Sequence, residues 1–349
     1  MSSRWQKRLA ASLVSPEELA EKLDLDLPAA ALVAERYPFR ITRHYFELIK
    51  EKGDPLWLQA VPDLRELNDD CQLADPLNEQ VLSPVPGLIH RYPDRVVWLV
   101  ANECAVYCRF CMRKRRVGCS SADSLSASFR DAVSYIAANP AIRDVILSGG
   151  DPLLLEDEQL EEILSALRAI PHVEIIRIGS RIPITFPERI DTKLASLLQR
   201  YQPLYLNTHF NHPLEINSSS RQACAILADA GIPLGNQTVL LKGVNDDPLV
   251  MKKLLRGLLA IRVKPYYLHQ MDLVRGTAHF RTSVKTGLQI MASLRGHLSG
   301  LAVPYYVIDL PAGKGKVPLL PGHEIPADGV LRLTTYTGEV VEYRDLDYR

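Results

Sequence analysis

The stretch RVVWLVAN, residues 95–102, decides the fold, because it is the first of six short apolar runs that each precede an amphipathic run of helical length. Its β-branched residues are typical of a buried strand. After the first unit the runs recur about every thirty residues, which is the length of a strand-helix repeat. The six predicted strands are RVVWLVAN, DVILSGG, VEIIRIGS, LYLNTHF, PLGNQTVLL and KPYYLHQ.

Six parallel strand-helix units predict an α/β fold, a partial (β/α)6 barrel that does not close as an eight-stranded barrel does. The rival is an open doubly wound sheet, but no GxGxxG follows a predicted strand. We expect an N-terminal helical extension over residues 1–90, the core over 91–300 and a C-terminal segment over 301–349. That last segment contains a further predicted strand, PYYVIDLP, and a hairpin, VLRLTTYTGEVVEY, that turns near Thr337-Gly338.

The composition is that of an ordinary globular protein: of 349 residues, 47% are hydrophobic and 23% charged. Lys and Arg together number 41, as do Asp and Glu, so the net charge is zero and gives no reason to expect nucleic-acid binding. The apolar runs are short and interrupted by charges, which argues against a membrane span. The first residues lack the apolar core of a signal peptide, so we expect a cytoplasmic protein with reduced thiols.

A cluster of thiols and cations follows the first predicted strand. CAVYCRFCMRKRRVG, residues 104–118, holds three cysteines and five cationic side chains, which would favour thiolates. Three thiolates on one short loop can bind three irons of a [4Fe-4S] cluster and leave the fourth iron open to another ligand. A zinc site with a distant fourth ligand, or a set of redox thiols, is the alternative, although no second CxxC pair completes a zinc site. The predicted cluster ligands are Cys104, Cys108 and Cys111, whereas Cys71, Cys119 and Cys224 are predicted to be buried or incidental thiols.

The spacing C-x3-C-x2-C after the first barrel strand resembles the radical S-adenosylmethionine (SAM) superfamily. In that superfamily the open iron binds the amino and carboxylate groups of SAM, and an electron from the cluster cleaves SAM to give the radical that abstracts hydrogen from the substrate. SGGDPLLL, at the end of the second predicted strand, is similar to its Gly-Gly-acidic element, although alone it would indicate only a tight turn before a helix. The resemblance implies SAM contacts from Phe110, Ser148, Gly149, Gly150 and Asp151.

Blocks along most of the chain, from about Tyr37 to Pro321, are similar to the lysine 2,3-aminomutases, a family of that superfamily. The resemblance implies that His209 and Gln237, at the fourth and fifth predicted strands, also contact SAM. The blocks are SPVPGLIHRYPDRV, CAVYCRFCMRKRRVG, LSGGDPL, RIGSRIPI, NTHFNHP, NQTVLLKGVND, PYYLHQMDLVRGTAHFRT and YVIDLPAGKGKVPLLP.

This family also uses pyridoxal 5'-phosphate (PLP). Moving an amino group from Cα to Cβ by radical chemistry needs an intermediate in which nitrogen bridges both carbons, which an imine can form and an amine cannot. A lysine must therefore hold PLP until the substrate displaces it. DLPAGKGK matches the family's Asp-x-Pro-x-Gly-x-Gly-Lys and implies that Lys316 is this lysine, with Lys314 at a position that is usually glycine. Arg91 and Arg95, in HRYPDR, match the arginines that bind the PLP phosphate.

The resemblance also implies residues that recognise both ends of an amino acid. Arg113 matches the residue that binds the α-carboxylate, and a guanidinium can do so through two hydrogen bonds. Asp272 and Asp309 match the pair that binds the ε-ammonium of lysine, and two converging carboxylates repel each other unless a cation lies between them. Relatives that act on glutamate carry Lys and Asn at these two positions. The predicted reaction is the conversion of L-lysine to β-lysine, with another cationic amino acid as the alternative.

Partners follow from the same resemblance. We expect a homo-oligomer served by an external reductant such as flavodoxin or ferredoxin, with neither nucleic acid nor membrane as a partner. The sequence is shorter than many members, and we expect it to lack the cysteine-bearing C-terminal extension that helps some of them to bind zinc between subunits. Its short tail resembles relatives that make (R)-β-lysine for elongation factor P, but those lack the second Asp, so Asp309 favours an enzyme acting on free lysine.

Two rival classes predict other residues. A radical SAM methylthiotransferase would have further cluster cysteines and no PLP lysine. A non-enzymatic iron–sulfur or zinc protein gives no reason for Arg91, Asp272 and Lys316 to occur together.

Overall fold

Short helices precede the sheet. The structure is a computed structural model that describes residues 4–68, 73–118, 129–319, 330–335 and 337–344. Polar caps encode these helices locally: Ser15 accepts a hydrogen bond from the backbone of Glu18, and Asp26, Thr42 and Asp54 cap later helices in the same way. The helices are α1 (Arg4–Ala10), α2 (Pro16–Ala20), α3 (Leu27–Arg36), α4 (Arg43–Leu48) and α5 (Pro55–Ala60).

One curved sheet forms the frame of the molecule. Its nine strands in the described residues are β1 (Leu88–Tyr92), β2 (Arg95–Ala101), β3 (Asp144–Gly149), β4 (Ile175–Gly179), β5 (Leu204–Thr208), β6 (Leu234–Leu240), β7 (Val263–Gln270), β8 (Tyr305–Asp309) and β9 (Lys316–Pro318). Each strand pairs with the next along the chain; β2 to β8 are parallel, whereas β1 and β9 are antiparallel edges. This sequential order is that of a barrel, because a doubly wound sheet reverses its strand order part-way.

Helices lie between the parallel strands and cover the sheet. Each predicted strand-helix unit is present, so the predicted partial α/β barrel is confirmed, and the predicted strand PYYVIDLP adds a seventh parallel strand, β8. No described helix is long and apolar enough to cross a membrane. The helices are α6 (Phe129–Ala138), α7 (Asp157–Arg168), α8 (Ile182–Thr185), α9 (Thr192–Gln199), α10 (Ser218–Asp229), α11 (Pro248–Ala260) and α12 (Val284–Leu294).

The alternation of side chains along each strand separates the core from the interior of the curve. In β3, Val145 and Leu147 are fully buried in the main hydrophobic core, whereas Ile146 and Ser148 face the concave side. The other strands follow the same rule, so the apolar half of each strand supports the helices and the other half lines a cavity.

The chain after β8 turns back on the sheet. The AGKGK loop leads into β9, which places Lys316 directly opposite Asp309 in the antiparallel register. The backbone N–H of Lys316 donates to the hydroxyl of Tyr92 over 2.8 Å, so the two edge strands meet at this lysine. The predicted C-terminal hairpin is confirmed as β10 (Val330–Thr334) and β11 (Val340–Arg344). Cys224 is buried in α10, as predicted, while Cys71 and Cys119 lie outside the described residues.

Candidate active site

The curved sheet encloses a cavity of about 910 Å³, and every predicted site residue lines it. Most of these residues come from the C-terminal ends of the parallel strands, from the cysteine loop after β2, and from β1 and β9 at the two edges, whereas Gln237 lies in the middle of β6 and Arg95 begins β2. The fold therefore brings together residues that are up to 225 positions apart in sequence, from Arg91 to Lys316. Glu79, Arg181 and His269 also line the cavity and were not predicted.

The three cysteines of the loop after β2 are free thiols. Burial raises the pKa of the Cys104 thiol well above its ordinary value, and burial together with the neighbouring Cys108 raises the pKa of Cys111 to about 11. Such thiols bind metal only by releasing protons. Among the described residues, no group of three or more His, Cys, Asp or Glu side chains is arranged to hold a single metal ion. Three cysteines on one loop match the ligands of a [4Fe-4S] cluster, in which each cysteine binds a different iron.

The Gly-Gly-Asp element at the end of β3 packs directly against this loop. A Cβ at Gly149 would collide with the carbonyl oxygen of Ala101, and one at Gly150 with that of Glu103. Both oxygens accept backbone hydrogen bonds from the element, the second from Asp151 N–H over 2.7 Å. Only glycine allows this approach, which fixes the element beside the cysteines.

The carboxyl of Asp151 is engaged by the loop after β4. It accepts hydrogen bonds of 2.7 Å from Ser180 Oγ and 2.7 Å from the backbone N–H of Arg181. Burial raises the pKa of Asp151 to about 6, although these hydrogen bonds oppose the shift. Asp151 therefore ties the element after β3 to the loop that carries Arg181.

Arg181 is a functional candidate that the sequence did not reveal. Its Nη1 donates to Cys108 Sγ over 2.8 Å, and its Nη2 reaches Gln59 Oε1 at 2.6 Å and Glu215 Oε1 at 2.5 Å. Its Nε donates to the carbonyl oxygen of His209 over 3.1 Å. A buried guanidinium thus lies against a predicted cluster ligand, held in place on each side.

The cations within the cysteine loop itself are mostly neutralised. Arg109 and Lys114 both pair with the buried Glu66, and Arg115 pairs with Asp75 at 2.8 Å. At Cys111 the charges of Arg113 and Lys114 act to lower the thiol pKa, as expected, but burial outweighs them, as it outweighs the charge of Arg40 at Cys104.

Arg113, the predicted carboxylate-binding residue, already has an acidic partner. Its Nε and Nη2 donate to the two oxygens of Glu79 over 3.0 Å and 2.7 Å, and its Nη1 donates to Ser148 Oγ over 3.2 Å. Glu79 is itself buried. A guanidinium has five N–H groups, so one N–H on each terminal nitrogen remains for a second carboxylate at the end of the fork.

Lys316 lies among three polar side chains. Its Nζ is 2.6 Å from Asp309 Oδ2 and 3.3 Å from His269 Nδ1, while Arg91 Nη1 is 3.4 Å from Asp309 Oδ1. Burial alone would raise the pKa of the Asp309 carboxyl, but the hydrogen bond from His269 and the charge of Lys316 outweigh it and hold that pKa well below its usual range. Asp309 is therefore ionised and committed to Lys316 in this arrangement.

Asp272, the other predicted ammonium-binding carboxylate, lacks such a partner. No cation lies within ion-pair distance of it among the residues that the structure describes. Burial and the charge of Asp309 raise the pKa of Asp272 to about 7, although Lys316 and Arg91 oppose the shift. A cation that entered the cavity would find in Asp272 an acid that ionises readily to receive it.

The remaining predicted residues divide between two ends of the cavity. Phe110 meets His209 edge to face, with ring centroids 5.5 Å apart. Arg95 lies over the ring of Tyr92, 4.1 Å from its centroid, and pairs with Asp94 at 3.0 Å. Arg95 is therefore already paired, whereas an arginine dedicated to phosphate binding would be expected to have no acidic partner. Gln237 faces the cavity from β6.

Three of the seven buried side-chain polar atoms that lack a hydrogen-bond partner among the described residues belong to residues that line the cavity. Arg91 Nε, His209 Nε2 and His269 Nε2 have no hydrogen-bond partner among the described residues. Buried polar groups are nearly always paired in native proteins, so polar groups of a ligand belong beside them. His209 is on the predicted SAM side and Arg91 on the predicted PLP side, so the cavity fits both cofactors.

Known proteins match the chain over nearly its whole length. The Radical SAM superfamily matches residues 98–254, and the family described as Lysine-2,3-aminomutase matches residues 291–347. The L-lysine 2,3-aminomutase of Fusobacterium nucleatum subsp. nucleatum is 49% identical over 95% of this chain and 82% of its own length. That of Clostridium subterminale is 48% identical over 98% of this chain and 83% of its own length. The chain belongs to the lysine 2,3-aminomutase family.

Membership in the lysine 2,3-aminomutase family makes the chain a radical SAM isomerase whose cofactors are a [4Fe-4S] cluster, SAM and PLP. The predicted resemblance is thereby confirmed. The glutamate 2,3-aminomutase of Clostridioides difficile is 45% identical over 90% of this chain and 75% of its own length. Because identity to enzymes named for two different substrates is nearly equal, the substrate must be argued from individual residues of the cavity.

Proposed function

We propose that the enzyme moves the α-amino group of L-lysine to Cβ and so forms β-lysine. The observation that carries this proposal is Asp272, a buried carboxyl that faces the cavity without an ion-pair partner among the described residues. A cationic group at the end of the substrate's side chain stabilises the charged form of this buried acid and offsets its repulsion from Asp309. The side-chain carboxylate of glutamate would add a third negative group to the same region, so the site opposes it.

Recognition of the other end of the substrate falls to Arg113. Glu79 holds one edge of its guanidinium, so the plane of the group is fixed before substrate arrives. The free end of the fork then receives the α-carboxylate through two hydrogen bonds. Arg113 and Asp272 thus fix an amino acid at both ends, which places its α- and β-carbons between them.

The cofactors divide along the same cavity. Cys104, Cys108 and Cys111 would hold the cluster, and Lys316 would hold PLP with Arg91 near its phosphate. When bound, the cluster and SAM would supply the radical that takes hydrogen from the substrate, and PLP would supply the aldehyde that makes an imine of the substrate's own amino nitrogen, the form in which nitrogen can pass between the two carbons. The further predicted SAM contacts are Phe110, Ser148, Gly149, Gly150, Asp151, His209 and Gln237, and Arg95 is the second predicted phosphate contact.

Lys316 is favoured over Lys314 as the anchor of PLP. Lys316 reaches into the cavity, where Asp309 and His269 contact its Nζ, whereas Lys314 is exposed in the loop before β9. The backbone of Lys316 is also fixed, because its N–H donates a hydrogen bond to the hydroxyl of Tyr92. A lysine held in this way loses little further freedom when it forms an imine.

We further propose that the reaction runs in the cytoplasm, where thiols stay reduced, that flavodoxin or ferredoxin supplies the electron, and that the enzyme is a homo-oligomer.

The substrate assignment is tested by anaerobic reconstitution with iron, sulfide, PLP, SAM and dithionite, followed by incubation with L-lysine, L-ornithine or L-glutamate. We expect conversion of L-lysine and none of L-glutamate. Asp272→Asn should remove most of the activity on L-lysine while the PLP absorbance and the cluster spectrum stay unchanged. Preferred conversion of L-glutamate, or full activity of Asp272→Asn, would contradict the proposal.

A further inference from the structure

Glu66 is a buried carboxylate of the N-terminal region to which the proposed function gives no role. It ends a short 3-10 turn, Leu64–Glu66, and its side chain is fully shielded from solvent. Burial would raise the pKa of this carboxyl, but the charges of Arg109 and Lys114 outweigh it and hold the pKa below its ordinary value. Glu66 is therefore ionised, and the two cations that stabilise it belong to the cysteine loop.

These two cations lie on either side of Cys111 in the sequence. Arg109 comes directly after Cys108, two residues before Cys111, and Lys114 follows three residues after it. Nε of Arg109 donates to Glu66 Oε1 over 2.9 Å, and its Nη2 donates to Oε2 over 2.5 Å. The ammonium of Lys114 donates to the same Oε2 and also to the backbone carbonyl of Arg109 over 2.8 Å. One carboxylate therefore closes a ring of contacts around the segment that carries Cys108 and Cys111.

No helix or strand fixes the shape of the cysteine loop over residues 104–118. Backbone hydrogen bonds of 3.1 Å and 3.3 Å close the turns on the two sides of its third cysteine. Other segments supply further constraints, because Arg109 Nη1 donates to the carbonyl of Pro38 over 3.1 Å and Lys114 Nζ donates to that of Gly276 over 3.0 Å. The N-terminal region and the segment after β7 therefore meet the loop at this same pair of side chains.

We propose that Glu66 is a positioning residue for the iron–sulfur cluster, because it holds residues 109–114 in the shape that presents the thiols of Cys108 and Cys111 to the cavity. Both cysteines line that cavity, whereas Glu66 acts on them only through Arg109 and Lys114. Ordering a flexible loop costs conformational entropy, so a loop that its surroundings already hold in place retains metal more tightly. This inference rests on the proposed role of the cysteines as cluster ligands.

The test measures how firmly the protein retains its cluster, without SAM, PLP or substrate. The anaerobically reconstituted protein is mixed with an excess of an iron chelator, and the loss of the cluster absorbance gives a rate constant. Glu66→Gln keeps the size of the side chain, but its NH2 group cannot accept a hydrogen bond from a cation. Changing a residue that orients metal ligands typically weakens metal binding by 10–100-fold, so we expect cluster loss to be about 10–100-fold faster.

A matched control separates this role from general stability. Asp157→Asn breaks another buried ion pair, with Arg189 Nη2 at 2.7 Å, and neither of these residues lines the cavity. This control should lower the melting temperature yet leave the rate of cluster loss at the wild-type value. Glu66→Gln should also change the visible circular dichroism of the cluster, which depends on how the thiolates are placed around it, whereas Asp157→Asn should not.

A second variant tests the route through which Glu66 acts. Lys114→Met removes one of the two cations, so it should also speed cluster loss, and it should add little to the effect of Glu66→Gln because both changes break the same contact. Where Glu66→Gln does not yield folded protein, Lys114→Met decides by the same criterion.

A wild-type rate of cluster loss in Glu66→Gln or in Lys114→Met, fully additive effects of the two, or an equal acceleration in Asp157→Asn would overturn the role of Glu66. A normal cluster in Cys108→Ser would instead refute the ligand assignment on which the inference depends.

Discussion

Asp272 predicts how the binding of a cationic ligand depends on pH. Burial, with the nearby charge of Asp309, raises the pKa of Asp272 to about 7, whereas Glu79, Lys316 and Arg91 act on it more weakly. The group is therefore mostly neutral at pH 6 and mostly charged at pH 8. Because only the charged form attracts an ammonium group, binding should strengthen as the pH rises through 7 and weaken as it falls.

The size of the effect follows from the ionised fraction of Asp272. With a pKa of about 7, that fraction rises from about one tenth at pH 6 to about nine tenths at pH 8. The apparent dissociation constant should fall about tenfold over this range, which corresponds to about 1.4 kcal/mol. Near pH 6, binding should release close to one proton per ligand, because the ligand forces Asp272 to ionise.

A suitable ligand is 6-aminohexanoate, which has the chain length, carboxylate and terminal ammonium of lysine but no α-amine to react. Its own charges do not change between pH 6 and pH 8. Calorimetry on the PLP-free protein in two buffers of different ionisation heat gives both the dissociation constant and the proton release. Hexanoate and the Asp272→Asn variant are the controls, and neither should show the gain at pH 8. A dissociation constant for 6-aminohexanoate that is the same at both pH values would refute the reasoning.

Other positions give further tests. Glu79→Gln should weaken the interaction that holds the Arg113 guanidinium by about 1–2 kcal/mol. It should therefore raise KM for L-lysine more than it lowers kcat. An unchanged KM would show that Glu79 does not position the guanidinium. Gly150→Ala should lower the unfolding free energy by about 1–3 kcal/mol, because its Cβ meets the carbonyl of Glu103, whereas Gly300→Ala, in open space, should not; equal melting temperatures would contradict this. Arg181→Lys, which loses the directed hydrogen bond to Cys108, should make the cluster harder to reduce in an anaerobic redox titration, and an unchanged potential would argue against that contact.

The sequence was sufficient for the fold and for the predicted residues that line the cavity. The strands could be read because β-branched runs alternate with amphipathic runs at a constant spacing, and a parallel barrel brings all the strand ends to one face. The cysteine spacing could be read because all three thiols lie on one loop. Both features depend on residues that are close in sequence.

The residues that the sequence did not reveal act across long distances. Glu79 is 34 residues from Arg113, and Arg181 is 73 residues from Cys108. Neither stands in a local motif, so only the folded chain shows the pairing. The same holds for the cations of the cysteine loop, because the acids that pair with Arg109, Lys114 and Arg115 come from the N-terminal region.

One predicted residue, Asp309, has a contact that sequence matching could not supply. Asp309 was expected to bind the substrate's ammonium group. The turn into β9 instead places it opposite Lys316, whose ammonium pairs with the Asp309 carboxylate. Asp309 can therefore receive a substrate cation only when Lys316 Nζ has given up its charge. We propose that Asp272 binds the ammonium until then, which is why the pH test above is aimed at it.

The central claim, migration of nitrogen from Cα to Cβ of L-lysine, is tested most directly by isotope tracing. The anaerobically reconstituted enzyme is incubated with L-lysine that carries ¹⁵N only at the α-amino group, and the product is examined by NMR. We predict β-lysine with all of the ¹⁵N bonded to Cβ. Label that stays on Cα, or that appears as free ammonium, would contradict the account.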